Sequence, residues 1–203
     1  MGTIPKTELE TQYQSGKSMW EISRQFNCSV HKVVYWMDKY KIPRRSRSDA
    51  MYEKLNPQGD PFNIKASFTK DDILLLGLGL GIYWGEGNKV TPQSSRVTNT
   101  DPNMLKVFIR FLRNICGVKM EKMGFSLICF NDSDKNEVVK FWSKELDIPS
   151  EKFGKITQIP PQGKGNYKRK SQFGVCTISV GNIKLKKWIT SQIEQLPARM
   201  AQW

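Results

Sequence analysis

The chain has 203 residues, a formal net charge of +13 and a pI near 9.6. With 38% hydrophobic residues it can bury a core, either as one domain or as a small module joined to a larger one. The excess of positive charge favours a polyanionic partner, with nucleic acid ahead of an anionic membrane surface.

The composition also argues against several classes of protein. The N-terminal stretch has no apolar signal core, and the longest apolar run, residues 73–84, is shorter than the roughly 20 residues that span a bilayer. We therefore expect no secretion and no membrane partner, but a cytoplasmic, nucleoid-associated protein. The four cysteines form no C-x-x-C pair and there is one histidine, so a disulfide framework, a zinc site and a histidine-based triad are unexpected.

The N-terminal segment, residues 6–41, has the pattern of three short helices. Ser18 and Glu21 form an S-x-x-E capping signature for the second helix, and Ser29 is placed to cap the third. Helix, short turn and helix in this order resemble the DNA-binding helix-turn-helix, whose last helix enters the major groove. The resemblance implies DNA contacts on the outer face of the third helix, from His31, Lys32 and Tyr35. A plain three-helix packing module with a solvated outer face is the alternative.

A basic segment follows the third helix. Arg44, Arg45 and Arg47 stand just behind Pro43, which suits an arm that contacts phosphates and equally suits an exposed linker. Residues 53–67 contain several prolines and a glycine with no clear periodicity. The predicted organisation is therefore a DNA-binding domain over residues 1–52, a linker over 53–67 and a second domain over 68–203.

The second domain opens with a glycine-rich apolar run, "LLLGLGLGIYWGEGNK", residues 74–89. Thr69 and Asp72 are a second capping signature, which predicts a helix over about residues 70–85. Glycine inside a helix costs about 1 kcal/mol against alanine. Gly77, Gly81 and Gly85 fall on one stripe, so a second helix can approach almost backbone to backbone. The alternative is a bend between two strands that ends in a surface acid, because the first three glycines of the run also fit the two-residue period of a strand.

The segment "GLGIYWGEG", residues 79–87, resembles the signature of the LAGLIDADG homing endonucleases, with Gly81, Glu86 and Gly87 at its first glycine, its acid and its last glycine. The resemblance implies that two such helices pack together and that the acid at each helix end binds a divalent metal beside a scissile phosphate. Glu86 is then the catalytic acid and, with Gly87, the ligand of Mg²⁺ or Mn²⁺. Lys184, just past the last predicted strand, is our candidate for a basic residue near the phosphate.

A single copy of the signature implies a homodimer. In the family, single-motif chains act as dimers, and an isologous contact through Gly77, Gly81 and Gly85 would bring two copies of Glu86 together. The expected target is a near-palindromic double-stranded DNA site.

The order of the later elements is also similar to that of the family. "SSRVTNTD" and "GFSLICFN" read as strands, each followed by a helix, "FGKITQI" and "QFGVCTISV" as a hairpin, and "NIKLKKWITSQIEQL" as a closing helix. The strand and helix between residues 123 and 146 are additional to the family's core. The predicted fold class is α+β, an all-α helix-turn-helix followed by a LAGLIDADG-like mixed domain with an antiparallel sheet.

Positive charge is concentrated near the C-terminus, where residues 151–190 hold nine Lys or Arg and one acid, Glu151. The loop "PPQGKGNYKRKSQ" of the expected hairpin adds glycines and amides to these charges. Such a strand pair suits contacts with base edges and phosphates, although a solvated basic loop is the plainer alternative. The predicted DNA-binding residues of the loop are Gln162, Lys164, Tyr167, Lys168, Arg169, Lys170 and Gln172.

Two functions from different classes fit these patterns. The first is a site-specific, metal-dependent DNA endonuclease that uses its helix-turn-helix for extra contacts. The second is a DNA-binding transcriptional regulator that keeps the scaffold without cleaving, as in sporulation regulators that join a degenerate LAGLIDADG fold to a helix-turn-helix. The intact acid Glu86 favours the enzyme. An RNA-binding splicing helper is a third reading, disfavoured because a helix-turn-helix suits the grooves of duplex DNA.

Overall fold

The structure is a computed structural model that describes residues 3–160 and 171–201, apart from the side chains of Arg47, Ser48, Arg199 and Met200. The chain divides into two compact units, Met1–Asp60 and Pro61–Trp203. The division falls inside the predicted linker. In the part of the chain that is described, no helix is long and apolar enough to cross a membrane.

The first unit contains the three predicted helices and a fourth. They are α1 (Lys6–Gln14), α2 (Met19–Gln25), α3 (Val30–Lys39) and α4 (Arg47–Leu55). Both predicted caps are formed, since Ser18 and Glu21 make a capping box and Ser29 accepts a hydrogen bond from the backbone N–H of Lys32. The side chains of Leu9, Ile22, Val33 and Met37 are fully buried between the helices.

Helix α4 corrects the predicted linker. A capping box between Ser46 and Asp49 starts the helix, which runs to Leu55 and so takes the first residues of the 53–67 segment. The other end of that segment is also ordered, because the backbone N–H groups of Asn63 and Lys65 donate to the carbonyls of Cys116 and Ile115. Phe62 and Ile64 pack against the core of the second unit.

The second unit is a mixed helix and strand fold, in agreement with the predicted α+β class. The glycine run forms a helix whose last residue is Glu86, so the bend between strands is wrong. The elements are α5 (Lys70–Glu86), β1 (Ser95–Asn99), α6 (Pro102–Arg110), β2 (Met123–Phe130), α7 (Lys135–Leu146), β3 (Phe153–Ile159), β4 (Val175–Val180) and α8 (Ile183–Met200).

The sheet corrects two predictions. Its strand order is β1-β4-β2-β3, with β4 antiparallel to both β1 and β2 and with β2 parallel to β3. The predicted hairpin of β3 and β4 is therefore wrong, and the sheet is mixed rather than antiparallel. The physical reason is that α7 joins β2 to β3, as a helix usually joins parallel strands, while the connection from β3 to β4 is too long to act as a tight turn that dictates pairing.

One face of the sheet forms the core. Alternate residues of β2, from Met123 to Cys129, are buried with the apolar sides of α5, α6 and α7. Gly79 is the glycine that permits this packing, because a Cβ atom there would lie 2.2 Å from Cγ of Phe111. Phe111 begins the π-helical turn Phe111–Ile115 that follows α6.

Candidate functional site

The C-terminal end of α5 is fixed against the edge strand β1. Gly87 follows Glu86 and forms an isolated bridge with Val97, while its N–H donates to the carbonyl of Tyr83 at 2.9 Å. A Cβ atom on Gly87 would lie 2.3 Å from that carbonyl oxygen. Glycine is therefore required at this position, and it sets Glu86 at the margin of the sheet.

Asn88 extends this connection. Its backbone N–H donates to the carbonyl of Arg96 at 2.9 Å, and its Oδ1 accepts from the N–H of Arg96 at 2.7 Å. Its Nδ2 donates to the carbonyls of Thr91 and Ser94. Glu86 thus ends a helix whose next two residues are both bonded to β1.

Glu86 itself is exposed, and within the described part of the chain it pairs with no cation. Its carboxylate is free to meet a ligand. No group of three His, Cys, Asp or Glu side chains that could hold a metal ion occurs among the described residues. Mg²⁺ is commonly held by one or two carboxylates together with substrate phosphates and water, so a single carboxylate such as Glu86 is compatible with a role as a magnesium ligand.

Two lysines lie against the same helix end. Nζ of Lys89 donates to the carbonyls of Tyr83 and Trp84 at 2.8 and 2.7 Å, which neutralises the negative end of the helix dipole. Nζ of Lys186 donates to the hydroxyl of Tyr83 and the carbonyl of Asn88. Both ammonium groups lie over the Tyr83 ring, at 5.4 Å for Lys89 and 4.7 Å for Lys186.

Lys186 is a charged residue in a buried position. It is 7% exposed, and no carboxylate among the described residues pairs with it. Burial, together with the nearby charge of Lys89, lowers the pKa of Lys186. Burial raises the pKa of Tyr83, so the phenol stays neutral beside the lysine.

The basic residues found at the α5 end are thus Lys89 and Lys186, and the sequence reasoning missed both. Lys184, the predicted residue, is exposed in the first turn of α8. Lys184 and Lys186 are two positions apart on a helix, so their side chains point in different directions. Helical spacing from the buried Leu185 and Ile189 indicated only which residues of α8 face the core.

The outer face of α5 carries the predicted glycine stripe. A Cβ atom built on Gly77, Gly81 or Gly85 meets no atom within 4 Å. Large apolar side chains surround the stripe at helical spacing and are between 48% and 64% exposed. They are Ile73, Leu74, Leu78 and Trp84. No described residue covers this side of the helix, which we call the α5 face.

The side of the sheet opposite the core is also left uncovered by the described residues. Its residues are exposed or half-buried except for Thr177, and none of them joins the buried core. The strand register aligns Thr98, Thr177, Ser126 and Lys155 in one row across all four strands. The neighbouring row holds Arg96, Ser179 and Gly124.

These two rows, with the next row of Val175, Ile128 and Thr157, form what we call the open sheet face. Hydroxyl groups dominate it, Arg96 and Lys155 supply positive charge, and none of its positions is Asp or Glu. Thr98 and Thr177 share a hydrogen bond of 2.8 Å between their hydroxyls. The sequence signal for this surface was the alternation of large apolar residues with small or polar residues along the first half of β2.

The predicted contact residues of the first unit lie on the exposed side of α3. His31 is exposed, Lys32 is half-buried, and Tyr35 is 58% exposed. Nζ of Lys39 lies 4.6 Å from the Trp36 ring and 5.9 Å from the Tyr35 ring. The outer side of α3 therefore presents aromatic and cationic groups together.

The three predicted arginines differ in their surroundings. Arg44 is exposed and lies 3.6 Å from Asp38. Arg45 is held internally, because its guanidinium lies 4.2 Å over the Tyr13 ring, donates to the carbonyls of Tyr13 and Gly16, and pairs with Glu53. Arg47 begins α4, and its side chain lies outside the description. Only Arg44 is thus described with an exposed cation.

Most of the predicted loop contacts fall outside the described residues, namely Gln162, Lys164, Tyr167, Lys168, Arg169 and Lys170. Gln172 is described and exposed, just before β4. Comparison of the chain with protein-family models, with curated proteins and with solved structures found no match.

Proposed function

We propose that the chain is a divalent-metal-dependent DNA endonuclease that acts as a homodimer on a near-palindromic duplex. One observation carries the proposal: an exposed carboxylate, Glu86, ends a helix with an unpartnered glycine face, and the two residues after it are bonded to the edge strand β1 of a sheet whose open face has no acid. Residues 79–87 resemble the LAGLIDADG signature, in which the glycines allow two helices to pack together and the acid binds a metal.

The donor set at Glu86 fits a hard divalent cation. A free carboxylate and the neighbouring backbone of Gly87 offer oxygen ligands of the kind that Mg²⁺ and Mn²⁺ prefer. When bound, such an ion lowers the pKa of a water and stabilises the charge on the attacking and leaving oxygens of the phosphodiester. The chemistry needs no side-chain nucleophile, so the single histidine is no obstacle.

The residues around Glu86 have separate tasks in this proposal. Lys89 and Lys186 place positive charge against the end of α5 that carries the acid. Tyr83 and the carbonyl of Asn88 hold the Lys186 ammonium at a fixed position. Gly87 fixes the direction of Glu86 by joining the helix end to β1.

Dimerisation through the α5 face supplies the second acid. The stripe of Gly77, Gly81 and Gly85 allows the backbones of two α5 helices to approach closely, and the exposed apolar side chains beside it gain a partner. An isologous contact repeats every residue, so Glu86 of both chains would meet one duplex.

The duplex is proposed to lie on the open sheet face of the second unit. Hydroxyls and cations without carboxylates give the sheet a surface that attracts phosphates and can bond to base edges. Further DNA contacts are proposed for His31, Lys32, Tyr35 and Arg44 of the first unit, and for the basic residues of the segment 161–170, which lies outside the described residues.

The test is cleavage of a plasmid library in the presence of Mg²⁺ or Mn²⁺ by the wild-type chain and by Glu86→Gln. The endonuclease proposal requires cutting at a near-palindromic site that is lost in Glu86→Gln while binding to the site persists. Glu121→Gln is a matched control, because Glu121 is an exposed acid on the turn before β2. Failure of both proteins to cut a DNA that both protect would refute cleavage and establish the non-cleaving regulator.

A further inference from the structure

The open sheet face changes its chemistry along the strands. In the row whose Arg96 is bonded to Asn88 it carries Arg96 and Ser179, whereas two rows further along it carries Ile128 and Val175. At about 3.3 Å per residue, the distance from Gly124 to Ile128 along β2 is about 13 Å. The face therefore has a cationic end and an apolar end.

Ile128 and Val175 are direct neighbours across the β2 and β4 pair, and Thr157 adjoins Ile128 on β3. Ile128 is 37% exposed, which places it among the exposed large apolar residues of the chain. Its neighbours on β2 along the same face are Ser126 and Phe130. We call the group of Ile128, Val175 and the Thr157 methyl the apolar row.

The apolar row is held on a rigid support. Gly174 has a positive φ of +63°, and a Cβ atom there would lie 2.1 Å from the carbonyl oxygen of Ile128, so the backbone before β4 is in close contact with β2. Nε1 of Trp142 donates to the carbonyl of Phe173 at 2.8 Å, and the rings of Phe141 and Phe173 are stacked at 3.9 Å. Helix α7 thereby fixes the start of β4 and the position of Val175.

A base-reading surface of this kind favours one chemical group. In the major groove, thymine is the base that presents a methyl group, and apolar side chains recognise it by contact. The hydroxyls of the middle row suit the hydrogen-bonding edges of other bases. Within the proposed DNA-binding function, on which this step rests, we propose that Ile128 and Val175 contact thymine methyl groups and make binding depend on thymine at a defined position of each half-site.

A purely structural role makes a different prediction. Cross-strand pairs of β-branched residues stabilise sheets whether or not a ligand is present. In that case removal of the thymine methyl from the DNA would leave affinity unchanged. The DNA can therefore be altered without altering the protein, which separates recognition from stability.

The experiment uses the full chain and a random pool of duplexes. Bound duplexes are selected and sequenced, and each thymine of the recovered site is then replaced by deoxyuridine, which lacks only the methyl group. We expect the affinity for DNA to fall about three- to tenfold when one thymine of each half-site is replaced. This is the effect expected from the loss of one buried methyl-sized group. A chain with both Ile128→Ala and Val175→Ala should bind the thymine and deoxyuridine sites equally.

A folding check and a control variant protect the interpretation. Urea unfolding of the chain with both substitutions shows whether it is folded, so discrimination lost in a folded chain is not a failure to fold. Val90→Ala removes a 93% exposed apolar side chain outside the sheet and should keep the discrimination. Deoxyuridine without effect at every position, no thymine in the site, or discrimination that persists when both Ile128 and Val175 are alanine overturns the inference while leaving DNA binding intact. Recovery of no duplex at all overturns the proposed function with it.

Discussion

Gly81→Ala should stabilise the second unit and weaken its dimer. The position is an exposed helix interior where a Cβ atom meets nothing within 4 Å, so alanine recovers the helix propensity that glycine lacks, about 1 kcal/mol. In the proposed dimer the same methyl group lies between two close backbones. Overpacking of this kind costs about 1–3 kcal/mol, which corresponds to about a 5- to 150-fold loss of affinity.

Gly79→Ala is the matched control on the same helix. Its Cβ atom would lie 2.2 Å from Cγ and 2.6 Å from Cβ of Phe111, and Phe111 is fully buried. The propensity gain of about 1 kcal/mol is then offset by overpacking of about 1–3 kcal/mol. We expect this variant to be neutral or destabilised within the folded chain, with no direct effect on the α5 face.

The two effects are separated by protein concentration. Urea unfolding at a concentration where the chain is monomeric gives the stability of each variant, and sedimentation velocity over a dilution series gives the association constant. A Gly81→Ala chain that unfolds more readily than wild type as a monomer would refute the exposed position of this glycine. Unchanged association of Gly81→Ala would refute the α5 face as the dimer contact.

Two further predictions concern charge. The pKa of Lys186 is lowered in the folded chain, so the unfolded chain binds more protons between that pKa and 10.5. Stability should therefore rise with pH up to about 10, where Tyr83 begins to lose its proton in the unfolded chain. Lys186→Met should flatten this rise in urea midpoints measured from neutral pH upward; an unchanged slope would contradict the buried position of the charge. Lys65 and the capping bonds of Thr69 hold the pKa of Asp72 at about 2, below 3.8 in the unfolded chain, so stability should fall as pH drops through that interval. Asp72→Asn should lose this acid dependence, as followed by circular dichroism, and a mutant with the wild-type acid profile would assign the dependence to another group.

Features that depend on neighbouring residues could be predicted from the sequence. The start of α5 at Thr69 and its end at Glu86 follow from a capping box and from the close contact at Gly87. The same logic would have found α4, because Ser46 and Asp49 repeat the spacing of Thr69 and Asp72. The helix was missed because its apolar positions, Met51 and Leu55, are exposed and give no strong periodicity.

Features that depend on distant residues could not be predicted. Strand β3 pairs with β2 because α7 returns the chain to that edge, and no property of β3 itself distinguishes this from a hairpin with β4. Helical periodicity places Gly79 away from the stripe of Gly77, Gly81 and Gly85, but it does not show which of the two sides is buried. The neighbours of Gly79 and Gly81 are what separate a glycine required inside the chain from one that leaves a free surface.

The α5 face and the open sheet face are linked through the residues that follow Glu86. They belong to different elements, yet the bridge of Gly87 to Val97 and the bonds of Asn88 to Arg96 join those elements directly after Glu86. In the proposed endonuclease, a second chain on α5 alone would leave the acid without a substrate, and a duplex on the sheet alone would meet one acid for its two strands. The proposal therefore requires both surfaces to be occupied, so that each DNA strand meets one Glu86.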